Sequence, residues 1–411
     1  MSSIEYSVAR GACFVPAAGR LLFALLERME YGVLTLKAPD GVARRFGGGS
    51  SLGAQHIVPT EADLTLRDWG ICGEVMRGGD VAFAEAYMDG RWDTSDLIAL
   101  LTVVGFNQRA LERAFYGLWW RQLLLRLRHL ARGNTRRHAR RNACAHYDLG
   151  NDFYRLWLDS TMTYSAALFE GDPSRSLASA QQTKHERILA SLRLPAAAHL
   201  LEIGCGWGSF AETAARAGHR VTAISLSKAQ TAYALEHLAN AGLSDRVELR
   251  IEDYRDVKGR FDGIASIEMF EAVGERYWPA YFRILSDALR PDARAVVQTI
   301  TIADQRFDRY RETSDFIQEY IFPGGMLASA SRFAAEAHAA GLKIEGMHRF
   351  GHDYAETLER WLAAFDAQVD AVRALGFDQR FIRCWRFYLA YCAAGFTSET
   401  TDVAQYTLSA R

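Results

Sequence analysis

Cysteine is scarce. The six residues Cys13, Cys72, Cys144, Cys205, Cys384 and Cys392 are scattered at no metal-ligand spacing. They are also too sparse for a disulfide framework, so no metal site is expected. Long hydrophobic runs are missing too. The longest charge-free apolar stretch, near Leu97–Phe106, is far short of the ~18–20 residues that a bilayer span needs. The N-terminal Met-Ser-Ser-Ile-Glu-Tyr has no basic head followed by an apolar run, which argues against a secretory signal. Neither sign of charge dominates: 48 Lys+Arg face 49 Asp+Glu, for a formal net charge of -1. There is no internal repeat and no low-complexity tract.

What is present is the composition of a packed globule, 49% hydrophobic and 24% charged over 411 residues. That length favours two domains over one, because single cores stop growing beyond about 250–300 residues. The near-zero charge hides a local asymmetry. Arg121 to Arg141 carries eight arginines and no acid, and no acid occurs between Glu112 and Asp148. Leading into it and through its first part, Leu118, Trp119, Leu123, Leu125 and Leu130 stand among arginines at roughly helical spacing, until Gly133-Asn134 breaks the pattern. This reads as a basic amphipathic linker helix over 121–141. It would join a small N-terminal α+β domain (1–120), marked by alternating Val33-Leu34-Thr35-Leu36 and turn signals such as Pro39-Asp40-Gly41, to a larger domain over 142–411.

In the larger domain, strand runs at His199–Ile203, Arg220–Ser225, Val247–Ile251, Gly263–Ile267 and Ala295–Ile300 alternate with helical segments such as Ser209–Ala217 and Lys228–Ala241. Two more strands follow, at Lys343–His348 and near Val403–Leu408. The rhythm predicts a doubly wound, Rossmann-like α/β sheet of seven strands, mostly parallel. Ligands in such sheets bind beyond the carboxyl ends of the strands.

The first strand runs into Glu202-Ile203-Gly204-Cys205-Gly206-Trp207-Gly208. Glycines at alternate positions let the backbone turn sharply and approach a ligand closely. A dinucleotide fingerprint would put its third glycine one residue later and an acid at the end of the second strand. Here that strand ends in Ser225-Leu226-Ser227, so a nicotinamide dinucleotide is disfavoured. Glu202 and the βαβ setting favour a nucleoside ligand such as S-adenosylmethionine.

Several blocks together resemble the cyclopropane fatty-acid synthase family. They are His146-Tyr147-Asp148-Leu149-Gly150-Asn151-Asp152-Phe153-Tyr154, Thr163-Tyr164-Ser165, Glu202–Gly208, Met269-Phe270-Glu271-Ala272-Val273-Gly274 and Tyr320-Ile321-Phe322-Pro323-Gly324-Gly325. They cover roughly residues 140–395, and Tyr87-Met88-Asp89-Gly90-Arg91-Trp92 extends the match into the N-terminal domain. The resemblance implies a class I methyltransferase fold. It also implies transfer of the sulfonium methyl of S-adenosylmethionine to a cis double bond of a phospholipid acyl chain, followed by proton loss that closes a cyclopropane ring. It carries cofactor contacts onto Tyr164 and Ser165 at the methionine end and onto Gly204, Gly206 and Gly208 along the backbone. Ser225, Ser227 and Gln230 match the ribose side, and Asp253 and Tyr254 the adenine side.

The family's base is a bicarbonate ion, and two of its holding positions match Glu271 and Tyr354, with Ile300 fitting a backbone contact. Two positions depart: the family's cysteine is Ala166 and its histidine is Gln298. A third departure is Glu268, where the family commonly has glycine. The expectation is that the Glu268 carboxylate occupies or borders the anion position, with Gln298 donating to it. Its pKa would be raised by desolvation, and sharing of a proton with Glu271 is a further expectation. The same departures leave a methylene- or methyl-branched product beside the ring.

A chain without a span that acts on bilayer lipid must dock reversibly. The basic stretch would serve this at the inner face of the cell membrane, and the Tyr320–Met326 loop would rim the acyl tunnel. Nucleic acid is not expected as a partner, because the basic stretch has no interleaved aromatics beyond Trp119 and Trp120. Self-association as a homodimer is a further expectation. The competing readings are a degenerate cofactor-binding partner subunit and a small-molecule or RNA methyltransferase.

Overall fold

The computed structural model describes residues 15–48, 61–108, 111 and 149–410. The basic stretch 121–141 and His146-Tyr147-Asp148 lie outside the described residues. The chain divides into two compact units, Met1–Leu118 and Trp119–Arg411.

In the first unit, helix α1 (Ala17–Leu26) precedes strands β1 (Val33–Lys37), β2 (Ala43–Gly47) and β3 (Glu61–Leu66), then helix α2 (Gly70–Met88), the short strand β4 (Trp92–Asp93) and helix α3 (Leu97–Phe106). The sheet order is β2-β1-β3-β4. Alternation decides the buried face of β1: Leu34 and Leu36 point inward, while Thr35 and Lys37 are exposed. The Tyr87–Trp92 block makes the corner between α2 and β4. Gly90 takes φ 72° there, and buried Trp92 stacks on Phe83 and donates to its carbonyl at 2.8 Å. Arg91 bridges Asp68 at 2.8 Å and Glu74 at 2.6 Å.

The second unit opens with helices α4 (Asn151–Arg155) and α5 (Leu177–Leu192). Then follow β5 (His199–Ile203), α6 (Ser209–Arg216), β6 (Arg220–Ser225), α7 (Lys228–Asn240), β7 (Val247–Ile251), β8 (Phe261–Ile267), α8 (Trp278–Ala288) and β9 (Leu289–Ile302). The chain continues through α9 (Asp304–Tyr310), a π-helical turn at Ile317–Ile321, β10 (Ala328–Ser329), α10 (Ala330–Ala339) and β11 (Leu342–Arg349). It closes with α11 (Gly351–Ala367), α12 (Val369–Ala374), α13 (Gln379–Thr397) and β12 (Thr401–Ala410). The sheet runs β11-β12-β9-β8-β5-β6-β7, with β10 paired to β9 as an eighth, two-residue strand. That extra strand exists because β9 is longer than its apolar run suggests and reaches Ile302, which pairs with Ser329.

The five strands β9-β8-β5-β6-β7 are parallel, and β12 lies antiparallel between β9 and β11. Central β5 is buried on both faces, as a parallel strand flanked by helices must be. Leu201 and Ile203 face a core with Phe270, Trp278, Phe282 and Phe333. Leu200 faces another with Ile188, Phe210 and Leu238. From β5 the chain winds outward through β6 and β7, then returns to β8 on the other side. The loops after β5 and β8 therefore meet at the point where strand order reverses.

Candidate active site

The glycine loop sits at that reversal. Gly204, Gly206 and Gly208 take φ of 86°, 52° and 91°, the left-handed region that favours glycine. At Gly204 a Cβ would also stand 2.8 Å from Met269 Cγ, so a side chain is excluded twice over. Gly204 N and Cys205 N both donate to Ile224 O at 3.0 Å, and Trp207 Nε1 donates to Asn151 Oδ1 at 2.8 Å. The latter bond joins the loop to the end of the His146–Tyr154 block. Glu202, the penultimate residue of β5, is buried, and desolvation pushes its carboxyl up to about 8.

At the carboxyl end of β6, Ser225, Ser227 and Gln230 form one buried cluster. Ser225 Oγ donates to Gln230 Oε1 at 3.3 Å and accepts from Ser227 N at 3.1 Å. Ser227 Oγ caps α7 by accepting from Gln230 N at 3.3 Å. Beyond β7, Asp253 is held by Arg255 in an ion pair of 2.6 Å, and the Tyr254 ring packs against Tyr281 at 5.7 Å. Burial pushes the Tyr254 phenol up to about 12. Asp253 thus caps its own turn as well as standing at the strand end.

The segment Thr163–Ala167 lies beside the start of α6. Thr163 Oγ1 donates to Ser209 Oγ at 2.9 Å, which fastens it to the start of α6. Tyr164 packs against Trp157 at 5.5 Å, Trp361 at 5.3 Å and Tyr154 at 5.5 Å, and its hydroxyl meets that of Tyr388 at 2.7 Å. These electron-rich ring faces are the surface a cation prefers. Ser165 Oγ accepts from Lys184 Nζ at 2.6 Å.

After β8 the backbone reaches Glu268 with φ 49°, a conformation costing a non-glycine residue on the order of 1–3 kcal/mol. Its carboxylate gathers three donors. Oε1 accepts from Ala166 N at 2.8 Å and Gln298 Nε2 at 2.7 Å, and Oε2 accepts from Tyr354 OH at 2.7 Å. Bonds to a charged acceptor are worth roughly 1.5–3 kcal/mol each, enough to hold the strained turn. Gln298 is positioned by the sheet: it faces Ile267 on β8 and Gln405 on β12, whose Nε2 donates to Gln298 Oε1 at 3.1 Å. Burial raises the Glu268 pKa, opposed by Tyr354, by Lys184 and by the other two donors.

Glu271 Oε1 accepts from Thr299 Oγ1 at 3.0 Å and from Ile300 N, and Oε2 has no hydrogen-bond partner among the described residues. Desolvation and then the neighbouring Glu268 push the Glu271 carboxyl up to about 8. The two carboxyl groups thus act on each other through space while each keeps its own set of donors.

Sequence reading missed the support behind this site. Helix α11, which carries Tyr354, presents Asp353 and Thr357 to one strip of backbone. Phe169 N donates to Asp353 Oδ2 at 2.7 Å, and Ala167 N donates to Thr357 Oγ1 at 3.1 Å. Helix α5 contributes Gln181 and Lys184, both fully buried. Their signal was present: they share a helix face with Ala180 and Ile188, where apolar residues belong. Among the expected rim residues, Tyr320, Ile321 and Pro323 line a cavity of about 340 Å³ together with Phe381, Cys384 and Trp385. Among the described residues no helix is long and apolar enough to cross a membrane, and no His/Cys/Asp/Glu cluster could hold a metal.

A family model described as mycolic acid cyclopropane synthetase matches residues 134–406. Tuberculostearic acid methyltransferase UfaA1 of Mycobacterium tuberculosis is 40% identical over 81% of this chain and 79% of its own length. Cyclopropane-fatty-acyl-phospholipid synthase of Escherichia coli is 31% identical over 85% and 88%. Among solved structures, mycolic acid cyclopropane synthase CmaA1, complexed with SAH and CTAB, superposes with a TM-score of 0.61 at 31% identity, covering 66% of this chain and 97% of that one. Coclaurine N-methyltransferase shares the fold at 17% identity and a TM-score of 0.63. On the family match and these relatives, the chain belongs to the mycolic acid cyclopropane synthetase family of S-adenosylmethionine-dependent methyltransferases.

Proposed function

We propose that this enzyme methylates the cis double bond of an unsaturated phospholipid acyl chain, and that Glu268 accepts the proton released, leaving a methylene branch. The positive-φ glycine loop and the Ser225–Ser227–Gln230 cluster fit the cofactor. When bound, S-adenosylmethionine supplies an electrophilic methyl group. The alkene is a weak nucleophile, so the protein must orient it and exclude water. Attack places positive charge on the neighbouring acyl carbon, for which Tyr164, backed by the buried Trp157 and Trp361, is the nearby electron-rich ring.

The observation that carries the proton assignment is the placement of Glu268. A carboxylate has about four lone-pair sites. Three are engaged by Ala166 N, Gln298 Nε2 and Tyr354 OH, which leaves one on Oε2. A bicarbonate ion does not fit beside it: the donors that would hold an external anion already serve an internal one, and a second anion would face the Glu268 charge.

Ring closure is the second reading, favoured by the likeness to the E. coli synthase. Both products lose a proton from the added methyl. If the methyl carbon bonds to the cationic carbon as the proton leaves, a cyclopropane forms. If hydride first shifts from the methyl-bearing carbon to the cationic one, the same loss leaves a C=CH2 branch. The two are isomers. The test is incubation with methyl-labelled S-adenosylmethionine and vesicles of unsaturated phospholipid, followed by proton NMR of the extracted lipid. Vinylic methylene signals support the branch, upfield ring signals support closure, and absence of label in the lipid removes both.

Docking on the bilayer surface belongs to the same proposal, since the substrate lies within it. Binding to anionic vesicles that weakens as salt rises, with no retention of RNA under the same conditions, supports that part.

A further inference from the structure

Lys184 is unused by the reaction as proposed, yet it occupies an expensive position. Its side chain is fully buried, where an ammonium costs several kcal/mol unless charge and hydrogen bonds compensate. Both of its acceptors are neutral: Ser165 Oγ at 2.6 Å and Gln181 Oε1 at 2.6 Å. The carboxyl groups that act on it, Glu268, Asp159 and Glu202, do so at longer range. Glu268 spends its own oxygens on Ala166, Gln298 and Tyr354. Gln181 Nε2 in turn donates to Ser165 O at 2.8 Å, so α5 grips Ser165 by both hydroxyl and carbonyl. Thr163 pins the same segment to Ser209, directly after the glycine loop. A cation is thus held ready, one hydroxyl away from the cofactor crevice, without an adjacent counter-ion.

We infer that Lys184 is a positioning residue for the amino-acid end of the cofactor, orienting the Ser165 hydroxyl and supplying the positive charge against which the cofactor's α-carboxylate binds. This rests on the reading that Ser165 faces the methionine end. The ammonium acts through Ser165, with its charge directed by Gln181, and it is pre-organised because burial leaves it no alternative rotamer in water. Burial also lowers its pKa to about 7, opposed chiefly by Glu268. A bound carboxylate would favour the charged form.

The test is calorimetric binding of two ligands to the full chain: S-adenosylhomocysteine, and 5′-methylthioadenosine, which lacks the amino-acid carboxylate. The wild type is expected to prefer the former. Lys184→Met should weaken S-adenosylhomocysteine about tenfold or more, the range for a charge-assisted bond, and leave methylthioadenosine unchanged. Ser165→Ala should show the same selective loss and serves as the second variant should Lys184→Met fail to fold. Equal loss of both ligands, or no loss of S-adenosylhomocysteine, overturns the assignment. A wild type that binds the two ligands equally shows instead that Ser165 does not face the carboxylate, and the inference falls with that reading.

Discussion

The Tyr354 hydroxyl donates to Glu268 Oε2 at 2.7 Å across 86 residues of sequence. This bond joins the first turn of α11 to the loop after β8. Glu271, three residues on, has its Oε1 taken by Thr299 and Ile300.

Replacing Glu268 with Gln removes the proton acceptor but keeps the shape. Turnover should fall at least a hundredfold, within the range for loss of a general base, with S-adenosylhomocysteine affinity unchanged by calorimetry. Glu268→Gly should relieve the positive φ of 49° and open the anion position, so that added bicarbonate partly restores turnover. Near-normal turnover of the Gln variant would remove Glu268 as the base.

Tyr354→Phe deletes one of the three donors to Glu268. A bond to a charged acceptor is worth roughly 1.5–3 kcal/mol, so kcat should drop about tenfold to a hundredfold. Burial already raises the Glu268 pKa, and Tyr354 is the strongest opposing influence. Activity of the wild type should rise with pH through a value above the ordinary carboxylate range, and the variant's acid limb should move higher still. An unmoved limb would show that Glu268 is not the titrating group.

Glu202 gives a stability test with a definite sign. Its folded pKa is pushed from 4.5 to about 8, so between those values the folded state holds a proton that the unfolded state has released. Stability therefore falls as pH rises through that window and levels off above it. Glu202→Gln should raise the melting temperature relative to wild type at pH above about 8 and change it little near pH 4.5. At about 2–4 °C per kcal/mol the difference is readily measured. A constant offset at all pH values would contradict it.

Gly204→Ala combines a left-handed φ of 86° with a Cβ placed 2.8 Å from Met269 Cγ. Destabilisation of about 1–3 kcal/mol is expected, together with loss of S-adenosylhomocysteine binding. Met269→Ala in the same background should recover part of the stability, because the clash but not the backbone strain is relieved. No recovery would assign the whole cost to φ.

The strands from His199 to Ile251 were legible to the residue, because a buried parallel strand is a short apolar run bounded by turns. The glycine loop was legible for the same local reason, and so was the bond from Gln298 to Glu268, since one donor replaced another beside an added acid. The extent of β9, the two-residue β10 and the donors that Thr299 and Ile300 give to Glu271 were not legible. Each depends on pairing partners that sequence spacing does not reveal.

Periodicity and glycine conformation are local properties, so the α/β order and the glycine loop after the first parallel strand could be read from the residues alone. The convergence of Tyr354, Ala166 and Gln298 on one carboxylate, and the burial of Lys184 behind Ser165, come from long-range packing. Those facts arise where the loops after separate strands are brought together, and desolvation there changes what each charge can do.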